Sequence, residues 1–272
     1  MPRETVTGGK VLTGVLFTAG FLPLCLLGPP WLLYGVLQSA ALLGVREFVR
    51  MAFDDRIPAE GWAGAATGAL LPAVAFAAPT HLMPVVLLAP TPVLAVAVLR
   101  PRPVESAAHR ITVALGTVFY VGLLFAATVL AGASDGRALL LLGAIAWLGD
   151  VGAYAAGSSL GRHKLAPAVS PNKTVEGAAG GLVGALVGAT LARLIVLRDA
   201  AWADLFAVAV PCAVLSQVGD LAESLFKRSF GKKDSGTLLP GHGGILDRFD
   251  SLLLAAPGLL AYQALFGPIL PT

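Results

Sequence analysis

The chain has 272 residues, of which 56% are hydrophobic and 13% charged, with 32 Gly, 19 Pro and a formal net charge of +3. A soluble globular domain carries about a quarter charged residues. Half that fraction, with a mean hydropathy of +0.80, points instead to an all-α, polytopic integral membrane protein.

The apolar runs are continuous rather than alternating, which speaks against a transmembrane barrel. The small positive charge is a matter of topology, and no basic, aromatic-interleaved surface suited to single-stranded nucleic acid is visible. Cys25 and Cys212 lie in separate apolar runs without a CxxC pair and read as core residues.

A helix needs about 20 apolar residues to cross the hydrocarbon core, which predicts about nine spans. In chain order they lie near 11–28, 30–46, 61–79, 82–99, 111–132, 138–158, 177–197, 203–226 and 251–270. The first could imitate a signal peptide, but no small-residue cleavage site follows it cleanly, and Leu-Pro-Leu before Cys25 is a poor lipoprotein acceptor. Pro29, Pro30, Pro84, Pro90 and Pro92 crowd the second and fourth spans.

With the N-terminus in the cytoplasm, alternation places every Lys and Arg except Arg137, Arg193 and Arg198 on the inner side, as the positive-inside rule requires. The expectation is a cell-membrane protein whose polar site faces the cytoplasm. Residues 1–136 form N-terminal membrane helices of about five spans. Residues 137–272 form the catalytic membrane region, with cytoplasmic loops 159–176 and 227–250.

Three polar constellations interrupt the second half. Asp150 stands in the sixth span, in WLGDVGAY; an ionisable group at that depth is either functional or pairs with a basic residue of another helix. SPNKTVEG, Ser170 to Gly177, then opens the seventh span. Asn172, Lys173 and Thr174 offer donors at a helix N-terminus, which suits an anion, while Glu176 could serve simply as a capping acid. Gly180, Gly184 and Gly188 follow at a spacing of four, fit for close internal helix packing or for a homodimer face.

The third constellation joins the eighth span to the loop behind it. Ser216, Asp220, Ser224 and Lys227 share one helical face, with Glu223 beside it, and Asp247 and Asp250 return after the loop. Carboxylates converging from separate elements are how Mg²⁺ is held, with waters and substrate phosphate completing the shell. Lys227, Arg228, Lys232 and Lys233 can neutralise phosphoryl oxygens. The glycines of Pro240-Gly241-His242-Gly243-Gly244 allow positive φ and close backbone approach to an anion. His242 suits a phosphate donor or a turn-stabilising residue better than a base.

At these residues the sequence resembles the phosphatidate cytidylyltransferases, or CDP-diacylglycerol synthases. Their pattern of Ser-x-x-Lys-Arg, Lys-Asp-x-Gly, Pro-Gly-His-Gly-Gly and Asp-Arg-x-Asp-Ser is met at Ser224, Lys227 and Arg228; at Lys233, Asp234 and Gly236; at Pro240 to Gly244; and at Asp247, Arg248, Asp250 and Ser251. With the two upstream segments the likeness runs from Trp147 to Ser251. It departs at Val151, where a hydroxyl residue is usual, and at Val175, where Trp is usual; these bear on local substrate contacts rather than on the reaction.

The resemblance implies transfer of CMP from CTP to phosphatidic acid, giving CDP-diacylglycerol and pyrophosphate, with one Mg²⁺ or two. It assigns catalytic roles to Lys227, Arg228, Lys233, Asp234, His242 and Arg248. Nucleotide contacts fall to Asn172, Lys173, Ser224, Gly243 and Gly244. Metal binding falls to Asp220 and Asp247, with Asp150, Glu223 or Asp250 as further ligands or behind them.

The nearest rival is a CTP-dependent transferase or kinase acting on another lipid phosphate, isoprenoid or ether-linked. A CDP-alcohol phosphotransferase is less suited, since Asp135-Gly136-Arg137 lacks the rest of that family's motif. A transporter with intramembrane acids would place them near the midplane within inverted repeats, whereas here they gather at one face.

Overall fold

A computed structural model describes residues 20–101, 103–133, 136–238 and 243–269. Residues 20–27 are helical (α1). There follow α2 (Pro30–Phe53), α3 (Ala59–Ala77), α4 (Leu82–Leu88), α5 (Pro90–Leu99), α6 (Ala107–Gly116), α7 (Leu124–Ala133), α8 (Gly136–Leu160), β1 (Lys164–Ala166), β2 (Ser170–Thr174), α9 (Val175–Ile195), α10 (Trp202–Ser229) and α11 (Leu246–Phe266). The expected all-α polytopic architecture is met. Seven of the described helices are long and apolar enough to cross a membrane: Pro30–Phe53, Pro79–Leu99, Val104–Gly132, Gly136–Leu160, Val175–Ile195, Trp202–Ser229 and Leu246–Phe266. The expected span at 61–79 forms as α3 but is not among these seven. Half of the expected span at 11–28 lies outside the described residues, as do Arg3, Lys10 and Arg102.

Two features depart from uninterrupted helix. A π-helical turn, Thr117–Leu123, joins α6 to α7 within one span; such insertions rotate the residues beyond them and recur at functional sites. The expected loop 159–176 contains an antiparallel hairpin, β1 with β2, pairing Lys164 with Thr174 and Ala166 with Ser170. Pro171 keeps this stretch extended rather than helical. Val175 N donates to His163 O (2.9 Å), carrying the pairing to the start of α9.

Apolar helices gain nothing from leaving lipid for one another, so close packing must hold them together. Along α9 the glycine track meets α8: a methyl on Gly184 or Gly188 would overlap the carbonyl oxygens of Leu148 and Ala144. The track thus serves packing inside the protein. α10 runs along α11, and α11 also packs on α7 and α8. Leu142 and Ile145 of α8, Leu205 of α10 and Leu253 of α11 are buried, as are the unpaired Cys25 and Cys212. Leu87, Val98, Val183 and Ile195 point outward as apolar surface.

Candidate active site

The site forms where the C-terminal ends of α2 and α10 meet the N-terminal ends of α9 and α11. Phe48 of α2 packs edge-on to Phe226 of α10 (centroids 5.1 Å), and Tyr120 of the π-turn lies 4.7 Å from Phe226. This aromatic floor carries the last two turns of α10.

On that helix end Lys227 is buried, and its ammonium pairs with Glu223, one turn back, and with Asp247 Oδ1 of α11 (2.5 Å). Glu223 is fully buried. The pairing ties α10 to the segment that returns after the loop. The other oxygen of Asp247 accepts from Ser235 N (2.9 Å), Ser235 Oγ (2.8 Å) and Gly244 N (2.8 Å). Gly243, next to it, has φ +78°, the left-handed region that glycine enters without a steric cost.

A second ion pair closes the side towards α9. Lys173, the last but one residue of β2, pairs with Asp220 of α10, each about 29% exposed. Thr174 caps α9, its Oγ1 accepting from Gly177 N (3.0 Å), so one amide of that N-terminus is already satisfied. Glu176 acts in the hairpin: it accepts from the amides of Arg162 (3.1 Å) and His163 (3.2 Å) and pairs with the His163 ring (2.6 Å).

Asp150 of α8 lies within electrostatic reach of Asp220, Lys173 and Arg248, and Asp250 of α11 within reach of Asp220, Asp150 and Lys227. Acids from three helices therefore face one region. Among the described residues, no three of them stand close enough to cage a metal ion. Glu223 Oε1 and Tyr120 Oη are buried without a hydrogen-bond partner among the described residues.

Of the other expected site residues, Ser224 is half-buried, while Asn172, Lys233, Asp234 and Arg248 are exposed. Arg228 donates to Lys232 O (3.2 Å) and Lys232 Nζ to Asp54 Oδ1, just past the end of α2 (2.6 Å), so the loop is fastened at its start. Pro240, Gly241 and His242 lie outside the described residues.

Sequence reasoning missed Glu47. This α2 residue is buried, and its carboxylate accepts from Ile245 N (2.9 Å), Leu246 N (3.0 Å) and Ser235 Oγ (3.1 Å). Its one sequence signal was an acid inside Val45-Arg46-Glu47-Phe48-Val49-Arg50, where the flanking arginines read as topology. Arg46, Glu47, Arg50, Ser235 and Thr237 also line an open cavity of about 290 Å³.

The sequence profile of the cytidylyltransferase family matches residues 9–266, almost the whole chain. The chain belongs to this family. It is similar to a phosphatidate cytidylyltransferase of Bacillus subtilis (strain 168), 52% identical over 122 residues that make up 45% of each chain. Another, of Brucella suis biovar 1 (strain 1330), is 48% identical over 128 residues, 47% of each chain. A third, of Staphylococcus haemolyticus (strain JCSC1435), is 46% identical over 144 residues, 53% of this chain and 55% of that one. The matched stretch spans about half the length of these curated relatives.

Proposed function

We propose that the protein is a phosphatidate cytidylyltransferase, converting CTP and phosphatidic acid to CDP-diacylglycerol and pyrophosphate. The observation that carries this reading is the pairing of Lys173 with Asp220 and of Lys227 with Glu223 and Asp247 at one end of the bundle. An oxygen of the lipid phosphate attacks the α-phosphorus of CTP, and the bond to the β-phosphate oxygen breaks. A phosphate monoester has its second pKa near 6, so phosphatidate arrives largely as a dianion and needs no strong base. The barrier is repulsion between two polyanions, and fixed cations and in-line positioning lower it.

Lys173 and Lys227 are compact cations on flexible stems. In this reading each passes from its carboxylate to a phosphate oxygen when substrate binds. Arg228, Lys233 and Arg248 are accessible to the same phosphates, with Asn172, Ser224 and the amides of Gly243 and Gly244 as neutral donors. Asp234 and His242 complete the family motif.

The donor set suits Mg²⁺. The oxygens are hard, Glu223 Oε1 is buried without a partner among the described residues, and Mg²⁺ is usually held by one or two carboxylates plus substrate phosphates rather than by an all-protein cage. Asp220 and Asp247 would hold it, with Asp150, Glu223 or Asp250 beside or behind them. Bound there, one or two such ions would neutralise charge developing on the transferred phosphoryl group.

We place the chain in the cell membrane with about nine spans, its N-terminus and site cytoplasmic, where CTP is available. The positive-inside distribution supports this orientation. Pairing into a homodimer would use a face other than the glycine track, which α8 occupies.

The test is purified protein in detergent with labelled CTP and a panel of phosphatidate, isoprenoid phosphate and ether-lipid phosphate, following pyrophosphate release. Phosphatidate should be the preferred acceptor. Preference for another lipid phosphate would move the assignment to that lipid, and sealed-vesicle flux without CTP turnover would favour a transporter.

A further inference from the structure

We propose that Glu47 is a positioning residue for the transfer reaction: from α2 it sets the N-terminus of α11 and the Ser235–Gly236 turn, and through them Asp247. The proposal rests on the reading that this cluster transfers a cytidylyl group.

A helix N-terminus leaves amides without intrahelical partners. At the start of α11 the capping position is Ile245, which has no side-chain acceptor and makes no capping hydrogen bond. Glu47 supplies it from nearly 200 residues away, taking the amides of both Ile245 and Leu246. A carboxylate at a helix N-terminus is also favoured by the macrodipole. Its third donor, Ser235 Oγ, is shared with Asp247, so the two carboxylates hold the same turn.

The loop sequence is fitted to this carboxylate. A methyl on Gly236 would stand 2.8 Å from Glu47 Oε1, and a methyl on Gly244 would overlap Glu47 Oε2. Two glycines of the Lys-Asp-x-Gly and Pro-Gly-His-Gly-Gly motifs are thus required by an acid outside both motifs. Burying an acid near the end of an apolar helix is costly unless its partners are fixed; here every hydrogen-bond donor to Glu47 among the described residues comes from the one segment 235–246.

The experiment uses the full chain purified in detergent, as wild type, Glu47→Gln, Glu47→Asp and Gly236→Ala. One readout is the rate of tryptic cleavage after Lys232 and Lys233 against that after Arg198, exposed in the distant α9–α10 connection. The other is kcat and KM for CMP transfer. Glu47→Gln keeps the shape but turns a donor towards donors, so loop cleavage should rise several-fold with cleavage after Arg198 unchanged. In the same variant kcat should fall at least tenfold. Glu47→Asp should be intermediate, and Gly236→Ala should reproduce the loop-selective effect from the other side.

Wild-type cleavage and turnover in Glu47→Gln would overturn the proposal, as would equal acceleration at both cleavage sites, which marks general loosening. Should Glu47→Gln fail to fold, Gly236→Ala decides by the same criteria. Should wild type transfer no CMP, the assigned reaction is wrong, while the cleavage comparison still tests the role of Glu47 in the loop.

Discussion

Lys227 Nζ lies 2.5 Å from Asp247 Oδ1 and pairs at the same time with Glu223, one turn back on its own helix. One buried cation thus serves two carboxylates, and removing it leaves Glu223 unpaired in the core. Loss of one partner from a buried pair costs about 3–5 kcal/mol. Lys227→Gln should therefore lower stability by about 3 kcal/mol in detergent, read by thermal or denaturant unfolding. Glu223→Gln in the same chain should restore most of that loss without restoring turnover. A single variant as stable as wild type would contradict the pairing.

Lys173 and Asp220 are each about 29% exposed, so their pairing contributes little to stability, about 0–1 kcal/mol. Their importance is to chemistry. Asp220→Asn should keep wild-type stability within about 1 kcal/mol, lose turnover at least about 100-fold, a barrier increase of about 2.7 kcal/mol, and require more Mg²⁺ for its residual rate. Turnover measured across a Mg²⁺ titration checks this; near-native turnover throughout would remove Asp220 from the metal set. Asp247→Asn should lose activity as well, but with a loosened loop, because four donors converge on that carboxylate.

The approach of α8 to α9 depends on the absence of side chains at Gly184 and Gly188. Gly184→Leu should destabilise the protein by about 2 kcal/mol, within the range for overpacking, and should cut activity by separating Asp150 and Lys173 from Asp220. The contrast is Val183→Leu on the exposed flank of the same helix, which should be neutral. Comparable unfolding curves for the two variants would argue against this packing.

Thr174 caps α9 immediately after Lys173. Thr174→Ala should cost about 1 kcal/mol, and by loosening the first turn it should raise KM for CTP more than it lowers kcat. Thr174→Ser should behave as wild type. A change in kcat alone would place Thr174 in the chemistry rather than in positioning.

The second half of the site was legible in sequence because its chemistry is dense. Asp220, Glu223, Lys227 and Asp247 are charges in an apolar chain, and charge near a bilayer needs a reason. Helical spacing alone put Asp220 and Lys227 on one face. The first half was silent for the opposite reason: Glu47 sits between basic residues that topology explains, and its partners are backbone amides, which no side-chain pattern reveals. Phe48 falls just past the expected second span and Tyr120 reads as an ordinary span residue, yet they floor the site. Tyr120 also depends on a π-turn that hydrophobic periodicity does not encode. The hairpin at 164–174 was hidden by its shortness, three residues against five.

The most direct measurement follows where the label of CTP goes. Purified protein is given phosphatidate and Mg²⁺ with CTP labelled either at the α-phosphate or at the γ-phosphate. Cytidylyl transfer predicts that the α-label enters the lipid product while the γ-label leaves as pyrophosphate, and that Asp220→Asn slows both at least about 100-fold. A lipid product carrying the γ-label would identify a kinase, and no label in lipid under any Mg²⁺ concentration would contradict the proposed reaction.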